Sequence, residues 1–580
     1  MLYTKLASDI NEVDVIVAGG GTAGCIVAGR LAEADPTLSV LVIEGGANNH
    51  NVPSVLADRE PIVPSGGTLG GGSSINFMMY TRGQREDFDA WNTEGWSSDE
   101  LKPYLNKFEN YHGPGKSEDH GRSGPINVSR GTYRAQVSED DFIQAANQVG
   151  FPEIEDLQSL DTNNGIQRWQ RYICPEGKRQ DTAHRYIHPK LEKADQYPNL
   201  HVIVESKVVR VLLDDNKRAV GVEYITNPEF QPQGSAANFQ PSKQTVRARK
   251  LVVVSCGACG TPASSSGPVS ETPRCSRRRV SLLSSTSLVL VMTIRITIWS
   301  SPYRTNLAPD QTIDGLLGGR VDAAELIKNK DKLLGWNAID ISSKLRPTDA
   351  EVEALGPEFK ATWDRDFKDA PNRPLMLMGL VSCFLGDPTA VPTGQYVSVG
   401  NYTAYPYSRG HIHITGADVS DPLDFDVGFF TDKDDIDLKK QIWAYKKSRE
   451  IMRRTKMYRG EVALGHPKFP AGSPAACVEL DAELSDVKDI EYSAEDDKAI
   501  EQWLRENIGT TWHSLGTAKM APRDKRGVVA SNLDVHGVQG LKLADLSVPP
   551  ENLGANVNNT ALLIGEKAAD IIIKELGLAA

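Results

Sequence analysis

"VDVIVAGGGTAGCIVAGRLAE", residues 13–33, decides the fold. Val13, Val15, Ile16 and Val17 make the β-branched, nearly unbroken run of a buried parallel strand. Gly19, Gly21 and Gly24 follow in the GxGxxG spacing, and Ile26, Val27 and Leu31 continue at helical period. The first glycine permits the tight turn, the second lets backbone approach a pyrophosphate, and the third lets helix and strand pack closely. The helix then opens at Thr22 and Ala23, whose turn presents orphan N–H groups to the phosphates. A second strand, "SVLVIEGG" at 39–46, ends in Glu44, about 20 residues on, where a carboxylate accepts hydrogen bonds from a ribose. Strand, turn, helix and acid together predict a dinucleotide site. A glycine turn that merely packs leaves Glu44 unexplained. The fingerprint by itself does not separate NAD from FAD.

A second glycine-dense stretch, "GGTLGGGSSINFMMYTRG" at 66–83, reads as a ligand-cradling loop. Gly70, Gly71 and Gly72 let backbone N–H groups press against a flat or charged ligand where any Cβ would collide. Ser73, Ser74 and Asn76 add polar groups, and the apolar run after them speaks against a flexible linker.

Composition narrows the remaining classes. A chain of 580 residues suggests a large two-part protein. With 40% hydrophobic and 24% charged residues it is ordinary globular protein. A net charge of −12 argues against nucleic acid, whose phosphates need clustered Lys and Arg. Seven cysteines give no dense disulfide framework, and the odd count fits a reducing compartment. Cys256 and Cys259 form a CxxC, but no second pair completes a metal site, so small residues in a strand-to-turn corner are the expectation. The start shows no secretory pattern and the end "KELGLAA" no SKL-type address. "VSLLSSTSLVLVMTI" from Val280 is serine-rich and shorter than the ~20 residues of a membrane span. The expectation is a soluble, intracellular protein of the cytoplasm or peroxisome, with no membrane partner and no metal. There is no internal repeat or long low-complexity run.

The fingerprint, the second loop, "DFDAW" at 87–91, "TTWHSLGT" at 510–517 and "GVQGLKLADLSVPPENLGANVNNTALLIGEKAADII" at 537–572 together resemble the glucose-methanol-choline (GMC) family of FAD-dependent oxidoreductases. "GGGSSINFMMYTRG", "YPYSRGHIHIT", "WAYKKSRE" and "TTWHSLGT" are most similar to its fungal alcohol (methanol) oxidase branch. The resemblance implies FAD as cofactor, an alcohol and O2 as substrates, an aldehyde and hydrogen peroxide as products, and a homo-oligomer. It implies His513 as the base that takes the hydroxyl proton while the carbinol hydride goes to flavin N5. Asn556, where other branches carry a second histidine, would hold the same oxygen. Asn76 and the glycines of its loop would lie along the flavin, Val208 would pair its backbone with adenine, and Asp545 would sit where the chain returns to the pyrophosphate.

The expected fold is α/β (α+β), with a discontinuous Rossmann-like FAD-binding domain at 1–92, 198–300 and 500–580. A substrate-binding domain and cap would occupy 93–197 and 301–499. The alternation in "YPYSRGHIHITGADVSDPLDFDVGFF", 405–430, predicts antiparallel strands forming a sheet over the flavin and carrying the substrate domain. "EDDKAIEQWLREN" predicts a helix leading into His513. Three alternatives stay open: a dehydrogenase passing electrons to a quinone or dye, a hydroxynitrile lyase on the same scaffold, and a non-catalytic chain.

Two stretches depart from the resemblance. The spacing between "EGGANNHN" and "GGTLGGGSSIN" is short, so an excursion along the cofactor is missing. Residues 263–301 match neither the family nor a plausible domain segment, although both flanks do. Codons compatible with "VMTIRITIWSS", read one base earlier, permit "GHDYQDHNLVV", which resembles a flavin-proximal Gln-Asp-His segment of the family. A reading-frame error follows as the expectation. Sequencing the transcript across 263–301 should reveal a one-base shift that opens this frame; an uninterrupted frame there refutes it.

Overall fold

The computed structural model describes residues 1–46, 66–230, 242–265, 291–296, 299–414 and 423–579. The shortened stretch after Glu44 falls largely on 47–65, outside the described residues. Most of the aberrant segment, including 280–290 of the apolar run, also lies outside them. Residues 291–294 of that run are strand, and no described helix is long and apolar enough to cross a membrane.

Strand Glu12–Ala18 lies inside a mostly parallel sheet, between Val40–Ile43 and Gln244–Val254. Beyond Val40–Ile43 come Leu200–Ile203 and the short Leu2–Tyr3, both parallel. Gln244–Val254 divides its partners: its last residues pair in parallel with Leu541–Leu543, and its first residues pair antiparallel with Ala219–Thr226, which in turn pairs with Ser206–Leu213. Three remote stretches of chain therefore build one sheet. Val15, Ile16, Val17, Val40, Leu41, Val42, Val252, Val253 and Val254 are fully buried, as expected of strands covered on both faces. Helix Thr22–Ala34 packs against the C-terminal helix Asn558–Glu575, where a Cβ on Gly565 would come 3.0 Å from Ile26 Cβ and 3.1 Å from Ala23 Cα. That contact joins the first and last helices of the chain.

A second core surrounds a six-stranded antiparallel sheet in the order Tyr458–Glu461, Trp299–Thr305, Gln395–Thr403, Met376–Val381, Ile339–Lys344 and Gly165–Arg168. Helix Ile436–Met452 lies against it, contributing buried Trp443, Ala444, Ile451 and Met452. A third sheet has four strands in the order Leu423–Asp426, Gly410–Ile414, Val291–Ile296 and Thr510–Leu515. The alternating stretch at 405–430 therefore supplies the two outer strands of this small sheet, and the six-stranded sheet comes from other segments. The physical reason lies in burial. A hairpin with one wet face alternates, whereas Ile339–Lys344 buries all six residues, including Asp340, Ser342, Ser343 and Lys344, and shows no apolar period.

The helix predicted before His513 spans Ala494–Asn507, begun by a capping box in which Ser493 and Asp496 satisfy each other's backbone N–H. Cys256 and Cys259 lie at the head of helix Gly257–Ser265 and are not joined in a disulfide, and the described residues hold no metal-binding cluster.

The turn glycines differ sharply in tolerance. A Cβ on Gly24 would stand 2.1 Å from the Gly19 carbonyl oxygen, whereas one on Gly67 would meet nothing within 4 Å. Helix propensity favours Ala over Gly by about 1 kcal/mol, but overpacking against fixed backbone costs about 1–3 kcal/mol. Gly24→Ala should lower the melting temperature and the bound FAD, while Gly67→Ala should leave both near wild type in thermal denaturation and absorbance measurements.

Candidate active site

The two glycine loops are locked together at the start of helix Thr22–Ala34. Gly70 N–H donates to Gly20 O at 2.7 Å, Thr22 Oγ1 donates to Gly70 O at 3.2 Å, and Ser73 N–H donates to Thr22 Oγ1 at 3.2 Å. Ser73 Oγ adds a bond to Gly70 O at 2.7 Å. Gly19 has φ of 98° and Gly71 of 55°, left-handed values that glycine adopts without strain. A Cβ on Gly19 would sit 2.4 Å from Ser255 O, and one on Gly71 would sit 2.8 Å from Gly21 Cα. Gly72 begins the short helix Gly72–Ile75 beside this contact. The result is a bare backbone cradle in front of the N–H groups of Thr22, Ala23 and Gly24, a fit for a pyrophosphate.

Glu44 lies beside the cradle with both carboxylate oxygens in use. Oε2 accepts from Gly20 N–H and Oε1 from Gly46 N–H, each at 2.8 Å. Burial pushes its carboxyl up to about 7, against the opposing pull of the Gly46, Gly20 and Gly45 N–H groups. A lone pair remains for a ribose hydroxyl. Ser206 N–H donates to Glu44 O at 2.9 Å, so strand Ser206–Leu213, with buried Val208, starts at the acid. The register slips between Val208 and Arg210, a bulge that re-aims the edge. Asp545 accepts from Gly257 N–H at 2.8 Å, from Ser547 N–H at 2.7 Å and from the Thr261 hydroxyl. It thereby caps helix Gly257–Ser265 at the carboxyl ends of the central strands, and burial raises its pKa.

Asn76 Oδ1 accepts from Met78 N–H at 2.9 Å and from Arg179 Nη1 at 3.0 Å, an Asx-turn braced by a cation. Its NH2 remains as the donor for a ligand. Ile75 and Phe77 on either side are 46% exposed and Trp512 is 41% exposed, large apolar groups that a soluble surface normally hides. Phe77 and Trp512 stack with ring centroids 5.8 Å apart. Trp512 holds φ of 62°, costly for an aromatic residue, and its N–H donates to Thr510 Oγ1 at 2.9 Å. A flat, partly apolar ring system would cover this patch.

His513, half-buried, comes from strand Thr510–Leu515, and buried Asn556 from the loop two residues before helix Asn558–Glu575. Their side chains meet, with Asn556 Nδ2 3.4 Å from His513 Nε2. Asn556 Oδ1 points the other way, accepting from Tyr402 OH at 2.8 Å and Thr81 Oγ1 at 3.0 Å. The Tyr402 ring centroid lies 6.2 Å from that of His513. Sequence reasoning missed Thr81, Tyr402 and Arg179. Thr81 stands inside the quoted "MMYTRG", but no local pattern marks the other two.

The glycine cradle, the buried acid and the exposed aromatic patch fit FAD, which Gly19, Gly21, Thr22, Ala23, Gly24, Glu44, Gly71, Gly72, Ser73 and Asn76 would hold. GMC oxidoreductase profiles match residues 13–267 and 406–565. The chain is 36% identical to an alcohol oxidase of Candida boidinii over 98% of its own length and 95% of the relative's. Identity to an alcohol oxidase of Pichia angusta is also 36%, with 98% and 96% covered. Among solved structures, an FAD-dependent oxidoreductase of Chaetomium thermophilum superposes with a TM-score of 0.74 at 25% identity, covering 98% of this chain and all of the other. The fold is also that of a formate oxidase from Aspergillus oryzae, with a TM-score of 0.78 at 23% identity, covering 98% and 99%. The alignment to the Candida relative runs over 661 positions against a chain of 580, so the relative carries segments absent here.

The raised carboxyl of Glu44 sets a pH dependence. Its folded pKa of about 7 exceeds the ordinary 4.5, so its contribution to apoprotein stability is complete below 4.5 and is lost as pH rises through 7. Roughly 3 kcal/mol is at stake. Ribose hydroxyls donate to the ionised form, so FAD binding at pH 6 should release a proton, and affinity should rise between pH 6 and 8. Calorimetric titration of the apoprotein with FAD in buffers of different ionisation heat measures both. Glu44→Gln, which turns an NH2 toward a backbone N–H, should abolish the proton release and weaken binding about tenfold.

Proposed function

The chain belongs to the GMC oxidoreductase family, and we propose that it oxidises a short-chain primary alcohol to the aldehyde while O2 is reduced to hydrogen peroxide. It is an FAD-dependent oxidoreductase. The observation that carries the proposal is the side-by-side placement of His513 Nε2 and Asn556 Nδ2 at 3.4 Å. An acceptor and a donor so close can address one hydroxyl oxygen together. Bound FAD supplies the acceptor for the carbinol hydride and passes the electron pair to O2.

His513 receives the hydroxyl proton on Nε2, and the Asn556 NH2 donates to the same oxygen as negative charge grows there. Two contacts to one oxygen also hold the alcohol in a single orientation. Helix Asn558–Glu575 begins two residues beyond Asn556, so the positive end of its dipole lies on the side where that charge develops. The Tyr402 ring, 6.2 Å from that of His513 between centroids, adds bulk beside the imidazole, which favours a small alcohol over a large one.

Anaerobic addition of methanol or ethanol to the purified yellow protein should bleach the flavin bands, and admission of air should restore them with stoichiometric peroxide. A flavin that no alcohol reduces would sink the proposal. Reduction without peroxide on aeration, but turnover with a dye, would replace O2 by another acceptor. His513→Ala should keep its flavin yet lose about 10²–10⁴ in the rate of reduction, read by stopped-flow absorbance.

A further inference from the structure

We propose that Thr81 and Tyr402 are positioning residues that fix the orientation of the Asn556 amide and thereby keep His513 Nε2 free of a proton before substrate arrives. The inference rests on His513 and Asn556 acting as described above.

Its basis is a count of hydrogens. Thr81 Oγ1 accepts the backbone N–H of Asn556 at 2.7 Å, so that lone pair is committed. Its single hydroxyl proton then goes to Asn556 Oδ1, 3.0 Å away. Tyr402 OH supplies a second proton to the same oxygen at 2.8 Å. Both lone pairs of Oδ1 are thus filled by donors, and Thr81, Tyr402 and Asn556 are all buried. Reversing the amide would strand the Thr81 proton and crowd two N–H groups on its oxygen, leaving a buried polar group unsatisfied.

The consequence reaches the imidazole. With Oδ1 held between the two hydroxyls, Nδ2 faces His513 Nε2, and an N–H donor there selects the tautomer whose Nε2 carries a lone pair. With the amide reversed, Oδ1 would face Nε2 and favour Nε2–H, a form that cannot accept the alcohol proton. The lock is assembled from three separated parts of the chain: Thr81 follows the second glycine loop, Tyr402 lies in strand Gln395–Thr403 of the six-stranded sheet, and Asn556 precedes the last helix. Docking of the substrate domain thus contributes one of the two protons. The titratable groups named around the imidazole are Tyr402, whose ring faces it, and Cys259, which reaches its strand through Ser514.

The test uses flavin-loaded Thr81→Val, Tyr402→Phe and the double variant, with Thr81→Ser as the conservative control. Each single change should lower the rate of flavin reduction about tenfold with flavin content maintained. The double change should move the acidic limb of the kcat/KM profile up by about one pH unit or more, because the freed amide oxygen then stabilises protonated Nε2. Thr81→Ser should match wild type. Binding of trifluoroethanol to the oxidised protein, followed through the flavin spectrum without turnover, should show the same displacement. Variants that lose thermal stability or flavin while both pH profiles stay in place would overturn the inference. Should the double variant not fold, Tyr402→Phe, which deletes one oxygen, decides by a smaller displacement of the acidic limb in the same direction. A His513→Ala variant that retains full activity would instead defeat the underlying reading of the base, so the two failures are distinct.

Discussion

One buried carboxylate ties the parts of the molecule that must meet. Asp87 Oδ2 accepts the N–H of Gly554 at 2.8 Å from the tail, and Oδ1 accepts Tyr405 OH at 2.6 Å from the chain beyond the six-stranded sheet. Asp87 Oδ2 also accepts Gln84 N–H at 2.7 Å at the start of its own short helix. Three segments that are remote in sequence thus converge on two oxygens. A side chain at Gly554 would have to displace its neighbours, since a Cβ would lie 2.5 Å from Tyr405 OH and 2.9 Å from Pro374 Cγ. Trp91 Nε1 and Trp96 Nε1, donating to Glu551 O and Ser531 O, extend the same seam between head and tail. The place of Asn556 depends on this closure, because Asn556 stands two residues beyond Gly554.

The head side of the seam is held from beneath. Arg82 pairs with Glu109 at 2.6 Å, with both side chains fully buried, and Tyr80 OH donates to Glu109 at 2.7 Å. His120 lies between Glu109 and Asp156 at 3.1 Å and 3.0 Å, stacked on Tyr111 at 3.7 Å. Lys344 from the six-stranded sheet donates to Arg82 O at 3.0 Å. Buried ion pairs add little net stability because desolvation offsets their attraction, but the hydrogen bonds that link Arg82, Glu109, Tyr80 and His120 restrict the arrangements open to them. The beneficiary is Thr81, between Tyr80 and Arg82, whose hydroxyl must stand in a fixed place if it is to orient a neighbouring amide.

On the opposite side, the strand that carries His513 hydrogen-bonds to Val291–Ile296, a piece of the segment whose sequence departs from the family. Thr293 pairs with Leu515 and Ile294 with Ser514, contacts made by main-chain groups that any residue except proline provides. A ladder of this kind can hold the His513 strand in register without the side chains the family would place there. Gly410–Ile414 completes the far side of the same sheet.

Much of the nucleotide half was legible in the sequence. Its signals are local: Gly19, Gly21 and Gly24 are needed where backbone meets backbone, Glu44 follows at a distance set by one helix and one strand, and strands buried on both faces are written in continuous valine and isoleucine. The six-stranded sheet was less legible, because strands such as Ile339–Lys344 bury polar residues that erase the period. Sequence resemblance could name His513 and Asn556 but not say how the amide faces. That orientation depends on hydroxyls from residues 475 and 154 positions away in the chain. No spacing rule encodes such a distance; only the folded chain, by bringing two donors to one oxygen, decides which atom of Asn556 the imidazole meets.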